Sequence, residues 1–343
     1  MVMCYHTGTI YAFLTGDLLF GNLFRGGFLG VDLFFVLSGF VMYWAHEKDF
    51  GQAGKLGVFV KKRIVRIFPL YWIILFAKLV KDGSMPNILV LLSAIFLIPY
   101  PHVPYINVAW TLSYELFFYI ALGCMIMLPR GKLTWLPALV LLILALIPYS
   151  VAPSDDFGAT LLAFPFNLHL VEFLMGMLVG AMARQHQKNQ QRWWGWLILG
   201  GGAAFAGLFI AATWLSMHFG PLTSGQAYEL AELKGNVIFE NAIWWMGVPF
   251  SMLLLGLVAG EMCSGLSKIP HLDWLGDISY SLYLIHGFVI YSLMRNKSVA
   301  EFTMAHQWAV FFIMAAAVGV ASLAHYLVEK PLIGFFKPWV AKS

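Results

Sequence analysis

Charge is scarce in this chain. Asp, Glu, Lys and Arg make up 11% of its 343 residues, against about 25% in an ordinary soluble domain. A soluble globule of this length could not cover its surface with so few, so that class is excluded. Cysteine is equally sparse: Cys4, Cys124 and Cys263 are the whole supply. With no Cys-x-x-Cys pair, neither a disulfide framework nor a thiolate zinc site is expected. His-Glu-x-x-His is missing too, and no metal is expected. Also missing are a Walker phosphate loop and a Gly-x-Ser-x-Gly nucleophile elbow. No basic leader with a small-residue cleavage site opens the chain, so a signal peptide is not expected. The net charge of +4 is too small to point to nucleic acid.

What fills the chain is apolar sequence, 60% of it, in long blocks. Blocks near 1–20, 28–46, 64–80, 108–128, 135–151, 166–183, 194–217, 241–260, 274–294 and 307–328 read as membrane spans. One further block, 88–98, is short and bounded by Pro86, Pro99, Pro101 and Pro104. Loop charge decides how to count it. If it does not cross, 15 of the 21 Lys and Arg lie inside; if it crosses, only 9 do. Basic residues concentrate on the cytoplasmic side. The expectation is therefore an all-α polytopic membrane protein with about ten transmembrane helices. Segment 88–98 is re-entrant or interfacial, and both termini are cytoplasmic. The longest outer loop, 218–240, carries Glu229, Glu232, Glu240 and Lys234; the loop at 152–165 carries Asp155 and Asp156. No internal repeat or linker appears, so 1–343 reads as one domain.

Against this apolar background the polar residues stand out, because ionisable groups in hydrocarbon are costly. The stretch 27–40, Gly-Phe-Leu-Gly-Val-Asp-Leu-Phe-Phe-Val-Leu-Ser-Gly-Phe, holds Asp32, Ser38 and three glycines that permit close approach. His6 lies inside the first block, and histidine suits proton transfer near neutral pH. Lys62, Arg63 and Arg66 open the third block. Arg63 and Arg66 share a helix face and suit phosphate, although a topology anchor has the same composition. Trp110, Thr111 and Glu115 begin the fourth block, where a desolvated carboxylate can act as acid or base or orient a histidine. Ser279, Tyr283 and His286 recur at helical spacing as a polar stripe that lines a cavity or joins helices. His325 to Pro331 ends the last block and reads as a surface cap.

In order and over nearly the whole chain, these motifs resemble the acyltransferase-3 family of bacterial integral-membrane O-acyltransferases. The resemblance rests on His6, the 27–40 stretch, Arg63-x-x-Arg66-x-x-Pro69-x-Tyr71 and Trp110-Thr111-Leu112-x-x-Glu115. It extends to Ser279-Tyr280-Ser281-Leu282-Tyr283-Leu284-x-His286 and Glu329-Lys330-Pro331. The exopolysaccharide O-acetyltransferase branch is the most similar. The resemblance implies a ten-helix domain in the bacterial cytoplasmic (inner) membrane. It implies transfer of an acyl group, usually acetyl from acetyl-CoA, to a hydroxyl of a cell-envelope glycan or its lipid-linked precursor. His6 aligns with the family's catalytic histidine, and Arg63 and Arg66 with arginines near the donor. The family also has an arginine about a dozen residues before that histidine. Only five residues precede His6, so the first helix reads as truncated at its N-terminus.

The resulting expectation places Lys62, Arg63 and Arg66 at the phosphates of acyl-CoA. His6 acts as general base or transient acyl carrier, and Asp32 or Glu115 orients it or binds acceptor hydroxyls. Ser38, Trp110, Tyr283 and His286 line the substrate site. Acyl-CoA is a substrate, so no permanently bound cofactor is expected. The other expected partners are a glycan or lipid-linked saccharide, membrane lipid and a polysaccharide biosynthesis complex. A glycan or acyl-group transporter or flippase accounts for the same buried polar residues, and so does a non-catalytic scaffold of a polysaccharide assembly complex.

Overall fold

A computed structural model describes residues 1–101, 104–147, 157–167, 169–189, 194–218, 243–264 and 272–341. Among these there is no strand. The helices, in chain order, are α1 (Val2–Thr15), α2 (Gly30–His46), α3 (Leu56–Asp82), α4 (Ile88–Phe96), α5 (Trp110–Met127), α6 (Leu136–Leu146) and α7 (Phe157–Ala163). They continue with α8 (His169–Asn189), α9 (Trp194–His218), α10 (Ile243–Ser264), α11 (Leu272–Met294), α12 (Lys297–Ala305), α13 (Val310–Ala324) and α14 (Lys330–Ala341). Short 3₁₀ turns join several of them, and a π turn, His325–Glu329, joins α13 to α14.

The all-helical class follows from the apolar blocks, because only helices satisfy every backbone group within one segment in lipid. The expected count of ten spans is not reached among the described residues. Among the described residues four stretches are long and apolar enough to cross a membrane: Arg25–Asp49, Asn107–Met127, Phe157–Gln185 and Gln307–Ala341. Helix α1 has 14 residues and α6 has 11, short of the roughly 20 that a spanning helix needs. Helix α1 stops before residue 20 because Gly16 takes a left-handed conformation (φ 78°), its N–H closing on the Ala12 carbonyl at 2.9 Å. Helix α4, with 9 residues, rises about 14 Å, under half of a ~30 Å hydrocarbon core. The expected outer-loop charges Glu229, Glu232, Lys234, Glu240, Asp155 and Asp156 lie outside the described residues.

The chain divides into two compact units, Met1–Leu37 with Val179–Leu323, and Ser38–Leu178 with Ala324–Ser343. In the first, Ile10 and Tyr11 of α1 pack with Ile290 and Met294 of α11 and with Val310, Ile313 and Ala317 of α13. Lipid removes most of the hydrophobic driving force between helices, so close contact and small residues carry the association. Gly27 and Gly30 show this: a Cβ on Gly27 would stand 2.5 Å from the Met1 carbonyl oxygen, and one on Gly30 2.9 Å from Val2 Cγ2. Helices α9 and α10 meet the same way, with Gly201 against the backbone of Leu253.

In the second unit, Gly39 of α2 lies so near the Phe173 carbonyl oxygen that a Cβ would stand 2.0 Å from it. The Phe173 ring stacks on Phe118 of α5 at 4.4 Å. Helix α3 caps the end of α4: the Tyr71 hydroxyl donates to the Ala94 carbonyl at 2.7 Å and the Trp72 indole to Ile95 at 2.9 Å. These bonds use carbonyls that the end of a helix leaves unmet. The turn at Gly51 (φ 77°) donates its N–H to the Met125 carbonyl at 3.1 Å and packs on the Arg130 backbone. The segment after α2 and the segment after α5 therefore meet at one end of this unit.

Candidate active site

In the first unit, α1 and α11 bring two histidines together across 280 residues of sequence. The rings of His6 and His286 lie 5.2 Å apart between centroids, tilted by 46°. His286 is 1% exposed. Its Nδ1 lies 2.9 Å from the Leu282 carbonyl. A carbonyl only accepts, so Nδ1 carries the hydrogen and, in the neutral ring, Nε2 holds a lone pair. That Nε2 is buried and has no hydrogen-bond partner among the described residues. An unmet buried acceptor costs about 1–3 kcal/mol. Tyr5 meets His6 edge-on at 5.3 Å. Tyr283 lies 6.2 Å from His286 and stacks flat on Phe34 at 6.0 Å. His6 itself is half-buried. The stripe on α11 is uneven: Ser279 is exposed, and Ser281, at 0% exposure, is the buried serine. Asp32 is buried in the first turn of α2, where a carboxylate complements the helix dipole.

The second unit holds the other expected residues. Glu115 of α5 is buried and accepts from the Tyr119 hydroxyl one turn on, and from the Ser38 hydroxyl at 3.4 Å. Two expected site residues, Ser38 and Glu115, are thus joined directly. The two arginines of α3 differ. Arg66 is ion-paired with Glu329, which also accepts from His325 Nδ1 at 3.0 Å. Arg63 donates to the Met42 thioether at 3.3 Å and lies over the rings of Phe59 and Tyr119 at 5.9 and 5.5 Å. Among the described residues no carboxylate is within ion-pair distance of Arg63, and its Nε is buried without a partner. Lys62 is exposed. The expected surface cap at 325–331 is corrected: His325 and Glu329 are 6% and 2% exposed, because the π turn buries them against Arg66.

Trp110 packs on His169 at 5.5 Å, beside Tyr114 at 6.0 Å. His169 Nδ1 lies 3.3 Å from Glu172 Oε2, and Glu172 is fully buried. Sequence reasoning passed over His169, Glu172 and Tyr119. The first two had a usable signal, an ionisable pair at i, i+3 within an apolar block. Tyr119 had none, since an apolar helix holds many tyrosines that do nothing but pack.

The acyltransferase-3 family, an acyltransferase domain, matches residues 1–326, and the chain belongs to it. The exopolysaccharide production protein ExoZ of Rhizobium meliloti (strain 1021) is 27% identical over 339 residues, covering 91% of this chain and 92% of its own. The acyltransferase MdmB of Streptomyces mycarofaciens is 23% identical over 91% of this chain and 83% of its own. Nodulation protein 10 of Rhizobium leguminosarum bv. viciae is 24% identical over 96% and 88%. No solved structure matches. The protein is therefore a membrane acyltransferase for groups other than amino-acyl groups, which sets aside the transporter and the scaffold.

Proposed function

We propose that this protein transfers an acyl group, acetyl in the first instance, from acyl-CoA to a hydroxyl of an exopolysaccharide or its lipid-linked precursor, in the bacterial inner membrane with both termini cytoplasmic. The observation that carries the reading is the His6–His286 pair with its unmet Nε2. His6, the more accessible ring, takes the proton of the acceptor hydroxyl as its oxygen attacks the thioester carbonyl. The C–S bond then breaks, and the departing thiolate takes that proton, leaving an ester and free CoA. His286 offers a fixed neutral acceptor beside His6, ready to share a proton in an apolar setting. Arg63, which meets the Met42 thioether, the Tyr119 hydroxyl and two ring faces with no carboxylate at ion-pair distance among the described residues, suits the donor phosphates, with Lys62 as an exposed auxiliary. Arg66 holds the base of α3 through Glu329. Ser38 with Glu115, and Trp110, in the second unit, and Asp32 and Tyr283 in the first, are polar and ring groups that suit acceptor hydroxyls and sugar faces. The similarity to an exopolysaccharide production protein of Rhizobium meliloti supports the acceptor class.

Membranes carrying the His6→Ala variant, supplied with labelled acetyl-CoA, test this. The expected outcome is loss of label on glycan at unchanged protein level; undiminished labelling removes His6 from the chemistry.

A further inference from the structure

A cavity of about 450 Å³ opens in the second unit, where the segment after α2 meets the turn before α6. Its walls are aromatic. Tyr43 and Trp135 stack at 6.2 Å, and Phe50 meets both nearly edge-on at 6.1 Å. Tyr43 and Phe50 are buried, but Trp135 is 46% exposed, so part of its ring is open to a visitor. Glu47 brings a carboxylate to the lining and Arg130 an exposed guanidinium. The frame is stiff. Gly51 is locked on Arg130, and the Thr134 hydroxyl accepts from the Gly131 N–H at 3.1 Å while donating to the Pro129 carbonyl at 2.7 Å. Met42, the residue before Tyr43, touches Arg63.

We infer that this cavity holds the adenine nucleotide end of the acyl-CoA donor, an inference that rests on the donor reading above and deepens it. A planar base stacks on an open indole face, worth about 1–3 kcal/mol per base. The exocyclic amine of adenine is a donor for Glu47. The ribose phosphate is an anion for Arg130, and the pyrophosphate one for Arg63 through the shared stretch of α2. The volume falls in the range of roughly 300–1,000 Å³ usual for small-ligand sites. A phospholipid head group is much smaller and leaves the aromatic walls unfilled.

The test uses the full chain in detergent, with adenosine 3′,5′-bisphosphate as the binding probe. Acetyl-CoA is compared as donor with acetyl-pantetheine, which lacks the nucleotide. Trp135→Ala is expected to weaken probe binding about tenfold and to raise the KM for acetyl-CoA relative to acetyl-pantetheine by a similar factor. Trp135→Phe keeps most of both, and Arg130→Ala, at an exposed position, reproduces the loss without a folding defect. Equal probe binding in wild type and Trp135→Ala overturns the inference, as does an equal KM change with both donors. Loss of a co-purified phospholipid with KM intact assigns the cavity to lipid and also overturns it. In these cases wild-type transfer from acetyl-CoA leaves the donor reading standing. A wild type that uses no acyl-CoA and binds no bisphosphate fails that reading first.

Discussion

His286 and Glu329 are buried alike, at 1% and 2% exposure, yet their surroundings treat them oppositely. Glu329 has both oxygens engaged, one by Arg66 and one by His325. His286 has one nitrogen engaged and the other unmet. Arg63 and Arg66 repeat the contrast three residues apart, the first facing a thioether and two rings, the second a carboxylate. A saturated buried network rigidifies a fold. A buried polar atom left unmet costs stability, and its retention points to a ligand that meets it. The function proposed above accordingly draws on His286 and Arg63 and leaves Arg66 and Glu329 to structure.

The sharpest way to break this comparison is His286→Leu. Activity is expected to fall about 10²-fold or more, while the detergent Tm holds, because the substitution removes an unmet acceptor, and the Leu282 carbonyl that loses the Nδ1 donor lies inside a helix that still offers it a backbone N–H. A collapse of Tm with activity per folded molecule intact would make His286 a packing residue. Next come the arginines. Arg66→Ala strands the Glu329 carboxylate and is expected to cost on the order of 2–3 kcal/mol in chemical denaturation. This is less than the roughly 3–5 kcal/mol of a fully buried pair, since Arg66 is 38% exposed. Arg63→Ala is expected to leave stability nearly unchanged and to raise the donor KM; equal destabilisation by the two variants would erase the distinction. Gly39→Ala drives a methyl into the Phe173 carbonyl and should lose about 1–3 kcal/mol. Gly54→Ala, with nothing within 4 Å of its Cβ, is the neutral control.

The smallest effect belongs to a satisfied pair near the surface, Tyr105 donating to Asp82 at 2.6 Å. Burial, then that bond, pushes the Tyr105 phenol up from 10.0 to about 12. A raised pKa means that the folded chain holds the proton more tightly. Its contribution is full below 10 and lost as the pH rises through about 12. Tyr105→Phe should flatten that small slope in Tm.

Much of the helical outline was legible, because apolar blocks and glycine stops act locally: α3, α5, α9, α10 and α11 fall on blocks visible in the chain. Helix α1 came out shorter because one left-handed glycine, Gly16, outweighs the apolar residues after it. The candidate site residues stood out one by one but not as pairs. His6 and His286 each stood out as ionisable groups in apolar sequence, yet nothing local says that they meet. The Arg66–Glu329 pair spans 263 positions, and a motif at the end of a helix looks the same whether it caps a surface or closes on a distant arginine. Residue type carries the cost of burial; only the fold carries the partner that offsets it.

The π turn at His325–Glu329 is a change of phase. Helix α13 passes into α14 without a break, but the wider turn admits one additional residue. Each residue of an α-helix advances the direction of its side chain by about 100°. Every side chain after the turn therefore points where its neighbour in an unbroken α-helix would have pointed. Beyond the turn, Trp339 sits on α3, with Lys61 Nζ 4.9 Å above its ring and bonded to its carbonyl at 3.2 Å. The length of this helix is thus a code as much as its composition: removing one residue between 325 and 329 would leave the sequence of α14 intact and rotate its side chains by about 100° about the helix axis.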